Sequence, residues 1–282
     1  MEYITFRNGV QMPALGYGIC LISTDICEQC VLDAVSVGYR AFDTAQSYGN
    51  EECLGSALKK AGIPRQELFL TTKVQPVYYE SAKQSVLESL EKLQTDYIDL
   101  VLLHQPFGDV YAAYRDLEDL YRAGVLRAIG VSNFYADRLV DLAYFAKIRP
   151  MVDQIEIHPL HQRPDLLEWG NKLGIAMQAW SPFGRGRGQM FDHPVLTEIG
   201  QKYQKTTAQV MLRWNLQRGA AVVQKTTARE RMAQNIDIFD FRLTEADMDA
   251  IALLETGTSV FYSHADPATV EKFAQGILKS RT

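Results

Sequence analysis

The chain has 282 residues, 47% hydrophobic and 22% charged, with 34 acidic and 29 basic side chains and a net charge of −5. That balance excludes disorder, and its acidic excess argues against a nucleic-acid partner, since a surface that follows phosphates needs a basic stripe. No apolar run approaches the roughly 18 residues of a membrane helix, and the N-terminus MEYITFRNGV lacks a basic-then-apolar signal, so a cytoplasmic protein with no membrane partner is expected.

Residues 4–13 alternate around Asn8-Gly9, a dipeptide suited to two positive-φ positions of a type I′ turn, which predicts an N-terminal β-hairpin. Apolar strand-like runs follow at residues 15–19, 39–42, 68–72, 98–103, 126–131, 152–157, 175–179 and 220–223. The segments between them carry helical spacing, as in Val86, Leu90 and Leu93 or Leu117, Leu120 and Tyr121. Strand–helix alternation gives a parallel sheet. Eight such repeats predict an α/β fold closed into a (β/α)8 TIM barrel, one domain spanning residues 1–282. An open doubly wound sheet is disfavoured because the turn from Gly16 to Leu21 lacks the third glycine of a dinucleotide fingerprint. Residues 266–282 read as a closing helix. Cys27 and Cys30 form one C-x-x-C without a second pair, so they are read with Cys20 and Cys53 as structural thiols.

Polar residues at the C-terminal ends of barrel strands converge on one mouth. Here those are Asp43 and Tyr48 after the second strand, Lys73 at the third, His104 at the fourth, Ser132 and Asn133 at the fifth, Gln154 in the sixth and Lys225 at the eighth. A tyrosine is a poor acid at neutral pH, but an adjacent ammonium lowers its pKa. Lys73 would supply that cation, Asp43 would hold Lys73, and His104 would orient a carbonyl oxygen or relay a proton. General acid catalysis of this kind contributes about 10²–10⁴-fold, so another reactant must carry the harder step. The motif Glu156-Ile157-His158-Pro159-Leu160-His161 is not read as a metal site, because Pro159 breaks the helix that an H-x-x-H pair needs.

FDTAQSYGNE, TTKV, LLHQP, GVSNF at 130–134 and AWSPFG at 179–184 resemble the aldo-keto reductases over nearly the whole chain, in a branch that includes diketogulonate reductases. The resemblance implies NADPH-dependent reduction of aldehydes and ketones, on small polar, dicarbonyl or keto-sugar substrates. Tyr48 would be the acid, with Lys73, Asp43 and His104 completing a catalytic four. It places Ser132, Asn133 and Gln154 on the nicotinamide carboxamide and Trp180 against the ring, with Gly18, Ile19, Asp43, Ser181 and Phe183 also on the cofactor. Lys225, Thr226 and Arg231 would hold the adenosine 2′-phosphate, favouring NADPH over NADH, with Gln234 and Asn235 near the adenine. Arg185 and Arg187 lie in a glycine-rich loop suited either to phosphate or to plain solvent exposure.

The substrate would meet Tyr48, His104, Cys20, Gln105 and Phe107. Many relatives carry aromatic residues at Cys20, Gln75 and Gln105, a tyrosine at Ile157 and asparagine at Asp153, so a wider, more polar pocket is expected. Tyr78 and Tyr79 would partly refill it, and the C-terminal segment would add little wall. A monomer is expected. The alternatives are a non-catalytic NADPH-binding regulatory subunit on the same fold and a Schiff-base enzyme using Lys73.

Overall fold

A computed structural model describes residues 1–280. Strands β1 (Tyr3–Thr5) and β2 (Gln11–Pro13) form the antiparallel hairpin. Its turn is not type I′. Only Gly9 has positive φ (84°), while Gly9 N–H bonds the Phe6 carbonyl at 2.8 Å and Phe6 N–H bonds the Val10 carbonyl at 2.8 Å. That is a three-residue loop with glycine at its left-handed position, and Asn8 instead uses its side-chain oxygen to accept from Val10 N–H at 3.2 Å.

The other eight strands close a parallel barrel: β3 (Leu15–Gly18), β4 (Ala41–Asp43), β5 (Phe69–Val74), β6 (Leu100–Leu103), β7 (Ile129–Ser132), β8 (Val152–Glu156), β9 (Ala176–Trp180) and β10 (Ala221–Gln224), with β10 pairing back to β3. Helices α1 (Thr24–Ser36), α2 (Glu51–Ala61), α3 (Ala82–Leu93), α4 (Val110–Arg122), α5 (Ala136–Phe145) and α6 (Pro164–Leu173) link the first seven in turn. A loop through Gly184–Asp192 then leads to a helix pair, α7 (Pro194–Tyr203) and α8 (Thr207–Gln217), before β10. After β10 come α9 (Arg229–Ile236), α10 (Glu245–Ala252) and the closing α11 (Pro267–Lys279), which Asp266 caps by accepting from Thr269 N–H at 3.0 Å. Of the expected final helix, residues 281 and 282 lie outside the described residues.

Phe6 and Met12 of the hairpin pack with Ala41, Phe69, Leu100, Val152 and Ala221, which open β4, β5, β6, β8 and β10. The hairpin is therefore an apolar plug across the N-terminal end of the barrel. The polar strand ends are left at the opposite mouth, where sites of such barrels are built. Five of the eight strands also run one or two residues further toward that mouth than their apolar runs suggest. Asp43, Lys73, Ser132, Trp180 and Gln224 all continue the ladder, so those side chains stand on rigid strand backbone rather than on loops.

Candidate active site

Asp43 ends β4, and Lys73 lies one residue before the end of β5, its neighbour in the barrel. Lys73 Nζ donates to Asp43 Oδ1 at 2.5 Å and to the Thr44 carbonyl at 2.9 Å. The other carboxylate oxygen accepts from Gln154 Nε2 at 2.8 Å, and the same amide nitrogen reaches Gln178 Oε1 at 2.8 Å. Both charges are nearly sealed from water, with Lys73 1% and Asp43 5% exposed. A buried pair survives desolvation only when its remaining donors and acceptors are satisfied in this way. Lys73 does not line the cavity and is committed to Asp43, which removes the observation a Schiff-base lysine would need.

The loop after β4 sets Tyr48. Gln46–Tyr48 makes one 3-10 turn, and Gly49 takes φ 67°. Asn50 ties the loop down by accepting from the Thr44 hydroxyl at 2.8 Å and donating to the Ile19 carbonyl at 2.9 Å. The Tyr48 ring meets His104 edge-on at 5.7 Å between centroids, and Lys73 Nζ lies 5.1 Å from the Tyr48 centroid. Burial, followed by the Asp43 carboxylate and the Cys20 thiol, pushes the phenol well above its ordinary pKa. The expected lowering by Lys73 is not what this geometry gives, because the ammonium is neutralised by Asp43 and its nitrogen bonds the carboxylate rather than the phenol. Burial, with Lys73 adding to it, pushes His104 down to about 3, so its imidazole is neutral at pH 7. Ser47 Oγ lies 3.3 Å from His104 Nδ1. Neutrality suits this ring to orienting an oxygen rather than carrying a proton as imidazolium.

These groups open onto a cavity of about 600 Å³ lined by Gly18, Asp43, Tyr48, His104, Ser132, Asn133, Gln154, Trp180, Ser181, Phe183 and Lys225, with Cys20, Gln105 and Tyr262 also on its wall. The Ser132 hydroxyl donates to the Gln154 carbonyl at 2.8 Å, and Asn133 Nδ2 donates to the His104 carbonyl at 3.0 Å. Asn133 Oδ1 accepts from Trp180 Nε1 at 2.9 Å. Asn133 holds φ 65°, a conformation that asparagine tolerates better than most side chains. A second cavity of about 390 Å³ continues the groove, sharing Phe183, Phe191 and Lys225 with the first and adding Thr226, which precedes α9, and Arg231, Gln234 and Asn235, which lie on it. Neither Lys225 nor Arg231 is in an ion pair with a carboxylate among the described residues.

Several expected placements are corrected. Ile19 is fully buried and contributes its carbonyl to Asn50 rather than a surface to the cavity. Phe107 is also buried, stacked on His264 at 5.9 Å and packed on Phe273, so it supports the wall without forming it. Gln75, Tyr78, Tyr79 and Ile157 do not line the cavity. The C-terminal segment does form wall, since Tyr262 faces the cavity and Phe261 packs on Trp180 at 5.4 Å. That segment is pinned to β8, where Glu156 accepts from Ser259 Oγ at 2.6 Å and from Val260 N–H at 3.2 Å. His158 Nε2 lies 2.9 Å from the same carboxylate, giving this histidine a structural partner. Arg187 donates to the Val260 carbonyl at 2.8 Å, and both Arg185 and Arg187 sit over the Phe261 ring. Apolar packing of that tail on the mouth left no local signal in FYSHADP. Asp153 is fully buried, and burial raises its carboxyl well above the usual range, against lowering by the Phe134 N–H and the Arg163 guanidinium. Cys27 and Cys30 are buried free thiols.

The sequence profile of the aldo/keto reductase family matches residues 22–255. The chain is similar to the glyoxal reductase of Bacillus subtilis strain 168, with 43% identity over 90% of this chain and 92% of that protein. It is 39% identical to the methylglyoxal reductase DkgA of Escherichia coli K12, over 90% of this chain and 94% of the relative. Among solved structures, an aldo-keto reductase of Bombyx mori in complex with NADP superposes with a TM-score of 0.88 at 33% identity, covering 96% of each chain.

Two outcomes follow from the geometry. Asp43→Asn leaves Lys73 buried without its counter-ion and should cost about 3–5 kcal/mol in urea unfolding, whereas pairing it with Lys73→Met should recover part of that loss. His104 and His264 are held at about 3 and about 4, below their ordinary 6.5, so the unfolded chain binds protons that the folded chain refuses. Their contribution is therefore complete above pH 6.5 and is lost as pH falls toward 4, by up to about 1.4 kcal/mol per pH unit for each. Urea midpoints at pH 7.5 and pH 5, with and without His264→Phe, measure it.

Proposed function

The chain belongs to the aldo/keto reductase family, and from that premise we propose that it reduces small aldehydes and ketones, dicarbonyl and keto-sugar compounds among them, with Tyr48 donating the proton. It is an oxidoreductase with NADPH as its cofactor. The donor set fits that group: a groove continues from the mouth to the start of α9, where two cations, Lys225 and Arg231, stand beside the Thr226 hydroxyl. A dianionic 2′-phosphate is matched by such a set, and the helix N-terminus adds to the attraction. Ser132, Asn133 and Gln154 would hold the carboxamide, with Trp180 beside the ring. When bound, NADPH supplies the hydride.

The observation that carries the reading is the phenol of Tyr48 beside neutral His104, directly above the neutralised Lys73–Asp43 pair. His104 orients the carbonyl oxygen between its ring and the phenol. Tyr48 keeps its proton until it is needed. A carbonyl oxygen on its way to alkoxide becomes more basic than a phenolate, so a phenol with a raised pKa still donates to it. The resulting phenolate is left beside the Lys73–Asp43 pair, with Lys73 Nζ 5.1 Å from the ring centroid. Two dicarbonyl reductases among the relatives support the substrate class.

Tyr48→Phe should lower kcat for methylglyoxal by at least about 10²-fold while NADPH still quenches protein fluorescence with a near-unchanged Kd. Turnover retained in that variant removes Tyr48 from the role, and a wild-type chain that binds NADPH without turnover is the regulatory subunit instead. Lys225→Ala with Arg231→Ala should raise KM for NADPH by about 10-fold or more and leave KM for NADH much less changed, because only the phosphate contacts are lost.

A further inference from the structure

We propose that Gln105 is a fixed hydrogen-bond donor selecting substrates that carry a second acceptor oxygen beside the reacting carbonyl, and that His264 is the positioning residue that aims it. The proposal rests on the reductase reading above. Gln105 directly follows His104 and lines the same cavity as Tyr48 and Cys20.

Its backbone is held at both ends by one hydroxyl. Tyr79 OH accepts from Gln105 N–H at 3.0 Å and donates to the Gln105 carbonyl at 2.6 Å. Burial raises the Tyr79 phenol, so it stays protonated and performs both tasks. The side chain is held separately: its Oε1 lies 2.8 Å from His264 Nε2. His264 is packed against Phe107 and Phe273, at 5.9 Å and 6.2 Å with interplanar angles of 23° and 19°, and against Tyr262 and Tyr135 at 5.1 Å and 5.8 Å, so its ring is held within an aromatic cluster. Burial holds the imidazole neutral at pH 7. It donates its N–H to the amide oxygen.

A primary amide has one oxygen and two N–H donors. Oε1 already accepts from His264, while Nε2 bonds no described residue and has both N–H groups left for a ligand, so the wall beside His104 offers a donor. His104, with Ser47 at Nδ1, has its other ring nitrogen for the reacting oxygen. Two neighbouring donors match the two adjacent oxygens of a 1,2-dicarbonyl or of a 2-keto-sugar. A simple aldehyde satisfies only one. Because both donors are held before substrate arrives, little ordering cost opposes the contact.

The test compares methylglyoxal with propanal, which share a three-carbon skeleton and differ by the second oxygen, as a ratio of kcat/KM with NADPH. Intrinsic reactivity enters that ratio equally for every variant and cancels between them. Gln105→Leu should lower the ratio by about 3- to 10-fold, the range of one hydrogen bond, with the loss in the dicarbonyl KM. His264→Phe keeps an aromatic ring in the stack but removes the N–H, and should lower the ratio in the same direction. The double variant should fall no further than Gln105→Leu alone, since His264 acts only through Gln105. A merely structural His264 would change both substrates alike and leave the ratio in place. A ratio unchanged in Gln105→Leu overturns the proposal while the reductase reading stands, and this variant decides alone if His264→Phe does not fold. A wild-type chain that turns over neither substrate overturns the reductase reading itself.

Discussion

The ion pair between Lys73 and Asp43 is the constraint on which the mouth of this barrel depends. Two nearly dry charges on neighbouring strands can be kept only if the oxygens and hydrogens they do not share are satisfied, and the chain meets this demand with backbone and amides. Gln154 reaches across the barrel to Asp43 and on to Gln178, so β4, β5, β8 and β9 are tied through one polar chain. Because every member sits on a strand, small displacements are resisted by the whole barrel. The loop from Thr44 to Asn50 is fastened to the same assembly through Lys73 and Ile19.

A second layer is built on this floor from aromatic packing. Trp180 is held by Asn133 and packed on Phe261, whose ring is in turn covered by Arg185 and Arg187. Glu156 anchors the segment that carries Phe261 and Tyr262, and His264 extends it to Gln105. The far end of the chain thus folds back over the strand ends. It converts an open mouth into a groove with one polar side and one aromatic side. The hairpin makes the opposite end impassable with Phe6 and Met12.

The barrel and the meeting of Asp43, Tyr48, Lys73 and His104 at its mouth were legible because they follow local rules. Eight apolar runs mark eight strands, and an acid, a phenol, a lysine and a histidine close to strand ends have one place to meet. The residues that were misplaced obey non-local ones. Phe107 and Tyr79 are aromatic residues in loops near the mouth, and only the packing of α11 and the hydroxyl contact with Gln105 decide that they face inward. The contribution of the tail depends on contacts more than 100 positions away, such as Ser259 with Glu156, for which no periodicity exists. The turn at Asn8-Gly9 failed for a smaller reason: the side chain of Asn8 found a hydrogen bond that did not require it to leave negative φ.

The direction of the Tyr48 shift changes how the site is understood. A lysine beside a tyrosine suggests an acid made strong in advance, yet Lys73 is neutralised before its field reaches the phenol, and burial then raises the pKa. His104 is kept neutral by the same burial. The floor therefore presents a cancelled ion pair, a neutral phenol and a neutral imidazole, with little net charge facing the cavity. Such a surface gains nothing by binding a charged ground state. When negative charge develops on a carbonyl oxygen, the oriented donors of His104 and Tyr48 respond without having to reorganise. On the proposed reading, selectivity for the transition state comes from the order of events: charge appears on the substrate oxygen first, and only then is that oxygen basic enough to take the proton that the buried Tyr48 phenol holds.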